Sequence, residues 1–132
     1  MAKSSLVKKL RIQPGHHVLI LNAPPGYAES LGELPEGVRV SEEAQGKHGF
    51  VHLFVTNSQD LDRLRQKAMD AVKHDGLFWI SYPKRSSKVE TDLTRDVLWD
   101  LMRDTALRPV TQISVDDIWS AVRFRPGELV GK

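Results

Sequence analysis

No cysteine occurs in these 132 residues, which excludes disulfides, thiolate zinc sites, iron–sulfur ligation and a cysteine nucleophile together. A dominant charge is missing as well: 19 Lys and Arg face 17 Asp and Glu, a formal balance of +2. That is too weak a field for a nucleic-acid-binding face. No apolar run approaches the roughly 20 residues of a membrane span, and no apolar segment of the secretory kind follows the basic N-terminus. Internal repeats, linkers and low-complexity blocks are absent too. What remains is 40% hydrophobic and 27% charged residues, close to the globular average. The expectation is one cytoplasmic domain over residues 1–132 with no membrane contact. At this length folding buries roughly two-thirds of the unfolded chain's surface, so the core needs neither metal nor crosslink.

Along the chain, hydrophobic spacing predicts alternating helices and strands. Residues 1–14 form a helical arm, with Ser4 or Ser5 as cap and Leu6, Val7 and Leu10 on its apolar side, stopped by Pro14-Gly15. His17 to Leu21 is apolar on both faces, as an inner parallel strand must be. Asn22 to Tyr27 is a loop, residues 27–32 a short helix, and Val38 to Ser41 an edge strand. Phe50 to Thr56 is a third strand, and Asn57-Ser58 caps a helix bearing Leu61, Leu64, Ala68, Ala71 and Val72, which Asp75-Gly76 stops. Leu77 to Tyr82 is a fourth strand closed by Pro83. Thr91 or Asp92 then caps a helix with Leu93, Val97 and Leu101 on one stripe and Leu98 and Met102 beside it. Pro109 to Ser114 and Ile118 to Arg125 pair across an Asp116-Asp117 turn, and residues 126–132 are a loose tail. Strand–helix alternation followed by a hairpin makes a three-layer Rossmann-like α/β sandwich, its sheet mostly parallel and ending in an antiparallel β-hairpin. It resembles a shortened methyltransferase-like Rossmann fold over residues 15–125.

Ligands of such sheets bind beyond the carboxyl ends of the strands. The first such loop reads Asn22-Ala23-Pro24-Pro25-Gly26-Tyr27, and its two prolines lack the N–H groups with which a glycine-rich turn holds phosphate. Glu42 and Glu43 fall about 20 residues later, where an acid meets a ribose hydroxyl, although solvated glutamates suit the failed glycine pattern better. The denser constellation follows the fourth strand. Lys84, Arg85, Lys88 and Arg95 supply charge and Ser86, Ser87 and Thr91 supply hydroxyls for an anion, against the plain alternative of a solvated loop that only caps a helix. Asp92 opposes an anion placed too near it. The histidines have no helical i, i+4 pairing: His48 and His52 straddle a loop and a strand, so no metal site is expected, and His52 reads as a hydrogen-bonded structural residue. Ser86 or Ser87 with Lys88 lacks the elbow of a Ser–Lys nucleophile. Asp116, Asp117, Trp119 and Arg123 are explained by turn chemistry and packing as readily as by a cleft.

The segments Leu10-Arg11-Ile12-Gln13-Pro14-Gly15, Gly76-Leu77-Phe78-Trp79-Ile80, Pro83-Lys84, Thr91-Asp92-Leu93 and Asp117 to Phe124 together resemble an uncharacterised bacterial family, domain of unknown function 3052. The resemblance covers nearly the whole chain and implies a small bacterial cytoplasmic protein, with no catalytic residue to carry over. The functional expectation is a non-catalytic binding or regulatory module for a phosphorylated or carboxylated small molecule, with no cofactor, no metal and no nucleic acid. A small S-adenosylmethionine-type transferase and a protein-interaction subunit stand as alternatives.

Overall fold

The computed structural model describes residues 5–44 and 46–130. Its elements are α1 (Ser5–Leu10), β1 (His17–Leu21), α2 (Tyr27–Ser30), β2 (Arg39–Ser41), β3 (His48–Phe54), α3 (Ser58–Ala71), β4 (Val72–Pro83), α4 (Arg95–Leu101), β5 (Leu107–Ser114) and β6 (Trp119–Pro126). The strands form one sheet in the order β2-β1-β3-β4-β6-β5. The first four are parallel, and β6 is antiparallel to both of its neighbours. This is the mostly parallel Rossmann-like sandwich with a terminal antiparallel hairpin that the sequence predicts.

The two-residue period of the strands divides the core into two layers. Leu19, Leu21, Val51, Leu53, Phe78, Ile80, Val122 and Phe124 face α3 and α4, where Leu61, Ala68, Leu98 and Met102 cover them. Val18, Ile20, Phe50, Phe54, Trp79 and Ala121 face the other way, under Val7, Leu10, Tyr27 and Leu31 from the α1 and α2 segments. The path from β1 to β2 and the path from β3 to β4 step in opposite directions across the sheet, so right-handed crossovers put α2 and α3 on opposite faces.

Several boundaries differ from the sequence reading. Asp75-Gly76 does not close the long helix: α3 ends at Ala71, and Val72 already pairs with His48 before Leu77 pairs with Phe50, so the residues between bulge out. Asp75 sits there at φ 56, held by two 2.9 Å bonds from the Arg125 guanidinium. The helix after β4 is capped by neither Thr91 nor Asp92. Its cap is Thr94, whose hydroxyl accepts from the Val97 N–H at 3.2 Å. Leu93 therefore precedes the helix, and the stripe phased on it turns outward: Val97 and Leu101 are exposed while Leu98 and Met102 are buried. Ile118 belongs to the turn and is exposed, with β6 starting at Trp119.

Neither chain end is loose where it is described. Residues 1–4, which include Lys3 and the alternative cap Ser4, lie outside the described residues, but Val7, Leu10 and Ile12 are buried, so this segment is part of the core rather than an arm. At the other end Pro126 completes β6, Gly127–Leu129 make a 3₁₀ turn, and the Gly127 N–H donates to the Ala106 carbonyl at 2.8 Å; residues 131–132 lie outside the described residues. Removing the true cap tests the revised helix start: Thr94→Ala is expected to cost about 1 kcal/mol, read as a lowered urea midpoint at unchanged slope.

Candidate ligand-binding site

The carboxyl end of β4 opens onto a cleft of about 540 Å³, within the roughly 300–1,000 Å³ typical of small-molecule sites. Its floor comes from strand register. Tyr82 of β4 lies beside Ser120 of β6, and Gln112 of β5 reaches the same side, its Nε2 donating to the Tyr82 hydroxyl at 3.1 Å. One wall is the loop after Pro83, with Lys84, Arg85 and Ser86. The Lys84 N–H donates to the Ile118 carbonyl and its Nζ to the Ser114 hydroxyl, each at 2.6 Å, so this lysine is tied to the hairpin at both ends. The opposite wall is Thr94, Arg95 and Asp96. The Arg95 guanidinium stands 5.1 Å from the Trp99 ring centroid and 3.6 Å from the Asp96 carboxylate. Burial pushes the Tyr82 hydroxyl above its ordinary pKa, which keeps it a proton donor.

Of the residues expected to hold an anion, Lys84, Arg85, Ser86 and Arg95 line this cleft, whereas Ser87, Lys88 and Thr91 do not. The Ser87 hydroxyl donates to the Lys84 carbonyl at 2.7 Å, Lys88 is exposed, and the Thr91 hydroxyl accepts from the Leu93 N–H at 3.0 Å. Thr91 borders a separate recess with Ser58 and Asp92. There the Ser58 N–H and hydroxyl both donate to the Asp92 carboxylate, holding it below the usual carboxylate range. The start of α3 is thus occupied by the chain's own acid. Thr94, one of the hydroxyls of the same basic segment, also lines the cleft, and sequence reasoning missed Tyr82, Asp96, Gln112 and Ser120 as lining residues. Gln112 and Ser120 reach the cleft only because the terminal hairpin folds back along β4, a pairing that no local pattern announces.

The other candidate lies between β1 and β3, where the strand order reverses and open α/β sheets commonly bind their ligands. Asn22, at φ 61, donates from its side-chain amide to the Phe54 carbonyl at 3.0 Å and so bridges the two strand ends. Pro24 and Pro25 follow, and Tyr27 after them is buried against His52 and Phe54. Its hydroxyl lies 3.1 Å from His52 Nδ1, and His52 Nε2 lies 2.6 Å from the Ser81 hydroxyl. Burial pushes His52 down to about 3 and raises Tyr27, so both are neutral near pH 7. Glu42 and Glu43 are exposed beyond β2. Among the described residues no three His, Cys, Asp or Glu come together as a metal requires. Asp116 serves its turn, accepting from the Ile118 and Trp119 N–H groups at 2.8 Å, and Trp119 packs edge-on against Phe54.

With this geometry in view, the solved structures it resembles are informative. A SAM-dependent methyltransferase from Aquifex aeolicus is similar at a TM-score of 0.63 and 14% identity, covering 91% of this chain and 87% of that one. The fold is methyltransferase-like. The ribosomal protein L11 methylase of Lactobacillus delbrueckii subsp. bulgaricus matches at 0.59 and 8%, covering 92% and 75% of the two chains. A protein of the NADB-Rossmann superfamily from Streptococcus agalactiae matches at 0.53 and 10%, covering 96% and 69%. No family model and no curated protein matches the chain, so the resemblance to domain of unknown function 3052 finds no support in either comparison. Among the described residues, no helix is long and apolar enough to cross a membrane.

The residues at the strand reversal do not fit S-adenosylmethionine, on which the similar Aquifex aeolicus enzyme depends. Pro24 and Pro25 remove two N–H donors from the turn, and the Asn22 amide is already bonded across the gap.

Proposed function

We propose that the protein binds an anionic small molecule in the cleft at the end of β4. The observation that carries this reading is the convergence of Lys84, Arg85 and Arg95 on one cavity that also offers neutral hydroxyls. Charge-assisted bonds from lysine and arginine to phosphate or carboxylate oxygens are the stronger class of hydrogen bond. Two forms of the reading share this site. The structural comparisons favour a small S-adenosylmethionine-type transferase, for which the anion is the acceptor, over a non-catalytic module. The Asn22 bridge and the paired prolines favour the module.

Isothermal titration separates them. Inorganic phosphate is expected to bind, and the double variant Lys84→Ala, Arg95→Ala to weaken it by about tenfold or more. Titration with S-adenosylmethionine then decides the form, since a transferase without donor binding is untenable. Absence of any anion-dependent heat in the wild-type protein overturns the proposal in both forms.

A further inference from the structure

Resting on the anion reading, we infer that the ligand of this cleft is a phosphomonoester of a polyhydroxylated small molecule, of the sugar phosphate class. Charge gives the first reason. Three cations and the single carboxylate of Asp96 leave the lining with two net positive charges. A phosphomonoester carries about −1.5 to −2 at neutral pH, so it matches that lining, whereas a monocarboxylate leaves a cation uncompensated.

The floor gives the second. Tyr82 and Ser120 are 5% and 8% exposed, yet neither is saturated. The Tyr82 hydroxyl accepts from Gln112 and keeps its own proton to donate. Among the described residues the Ser120 hydroxyl has no hydrogen-bond partner, and the Thr94 hydroxyl, which accepts from Val97, likewise keeps its proton. Neutral groups that both donate and accept, set below a cationic rim, complement sugar hydroxyls, which also do both. Inorganic phosphate reaches the rim and leaves the floor unpaired, and sites whose polar groups are left unpaired discriminate strongly against the ligand that leaves them so.

The test is calorimetric titration of the full chain with glucose 6-phosphate, ribose 5-phosphate, glucose, gluconate and inorganic phosphate. At least one sugar phosphate is expected to bind about tenfold more tightly than inorganic phosphate or gluconate, with no heat from glucose alone. Ser120→Ala and Tyr82→Phe are each expected to weaken that sugar phosphate about three- to tenfold, and by more than they weaken inorganic phosphate. If phosphate or gluconate binds as tightly as both sugar phosphates, or if the floor variants change nothing, this inference is overturned while the anion reading survives. If no anion binds, or binding is indifferent to Lys84→Ala with Arg95→Ala, both fall.

Discussion

Acidification from pH 7 to pH 4 is expected to remove roughly 3 kcal/mol of stability through His52 alone. His52 is 1% exposed, stacked 4.3 Å from Phe54 and bonded on both ring nitrogens, to the hydroxyls of Tyr27 and Ser81. The unfolded chain takes up a proton there near pH 6.5, while burial pushes the folded value down to about 3. A depressed folded-state value means that the unfolded state binds more protons throughout this window. The contribution of a neutral, buried His52 is therefore whole above pH 6.5 and is lost as the pH falls, complete at about 5 kcal/mol below pH 3. Against the roughly 5–15 kcal/mol that holds a typical domain together, that is enough to unfold a marginal one.

His16 and His17 are also depressed, chiefly by burial, and add to the loss in the same direction. Urea unfolding at successive pH values between 8 and 4 reads the total. The His52 share is isolated by the triple variant Tyr27→Phe, His52→Leu, Ser81→Ala, in which no polar member of the network is left stranded. Its stability is expected to vary much less with pH, because replacing all partners by apolar groups avoids an orphaned donor. A His52 ring that titrates near pH 6.5 in the folded protein, observed by NMR, contradicts the prediction.

The parts legible in the sequence are those that local physics decides. The doubly apolar runs at His17–Leu21 and Leu77–Tyr82 announce inner strands because both faces of β1 and β4 are covered, and Asn57 announces the start of α3 because its side chain accepts from the Asp60 N–H at 2.9 Å. Local signals mislead where a partner far along the chain claims them. Asp92 looks like a cap, but Ser58, 34 positions away, takes its carboxylate, so the helix begins at the next available hydroxyl, Thr94. Asp75-Gly76 looks like a stop, but Arg125, 50 positions away, pins it as a bulge within a continuing strand.

The candidate site divides along the same line. Its cations, the adjacent Lys84 and Arg85 and, ten positions on, Arg95, fall in one basic segment that charge density picks out, while Ser120 and Gln112 required the β4–β6–β5 register. On the proposed anion reading, the rim residues attract any anion and the same register sets which anion leaves no hairpin group unpaired.

Trp79→Ala is expected to be the most damaging single substitution, at roughly 4 kcal/mol or more. Trp79 is 1% exposed and packs on the sheet face that α1 covers, and its indole N–H donates to the Leu10 carbonyl at 3.1 Å. Truncation leaves a cavity the size of an indole and strips the last carbonyl of α1 of its partner, a cost of about 1–3 kcal/mol in its own right if water cannot reach it. α1 has only six residues and makes no regular pairing with the sheet. A helix that short is not stable alone; the indole, the apolar contacts of Val7 and Leu10 and the 3.3 Å bond from Lys9 Nζ to the Ser114 carbonyl seat it. Hydrogen exchange should accordingly show the amides of α1 losing protection before those of β3 and β4. Trp79→Phe keeps most of the ring and drops only the donor, and should cost about 1–2 kcal/mol. Trp99, exposed beside Arg95, gives the contrast: Trp99→Ala should shift stability by less than about 1 kcal/mol. Unchanged protection of α1 in a globally weakened Trp79→Ala protein would show that the helix is held by something other than this side chain.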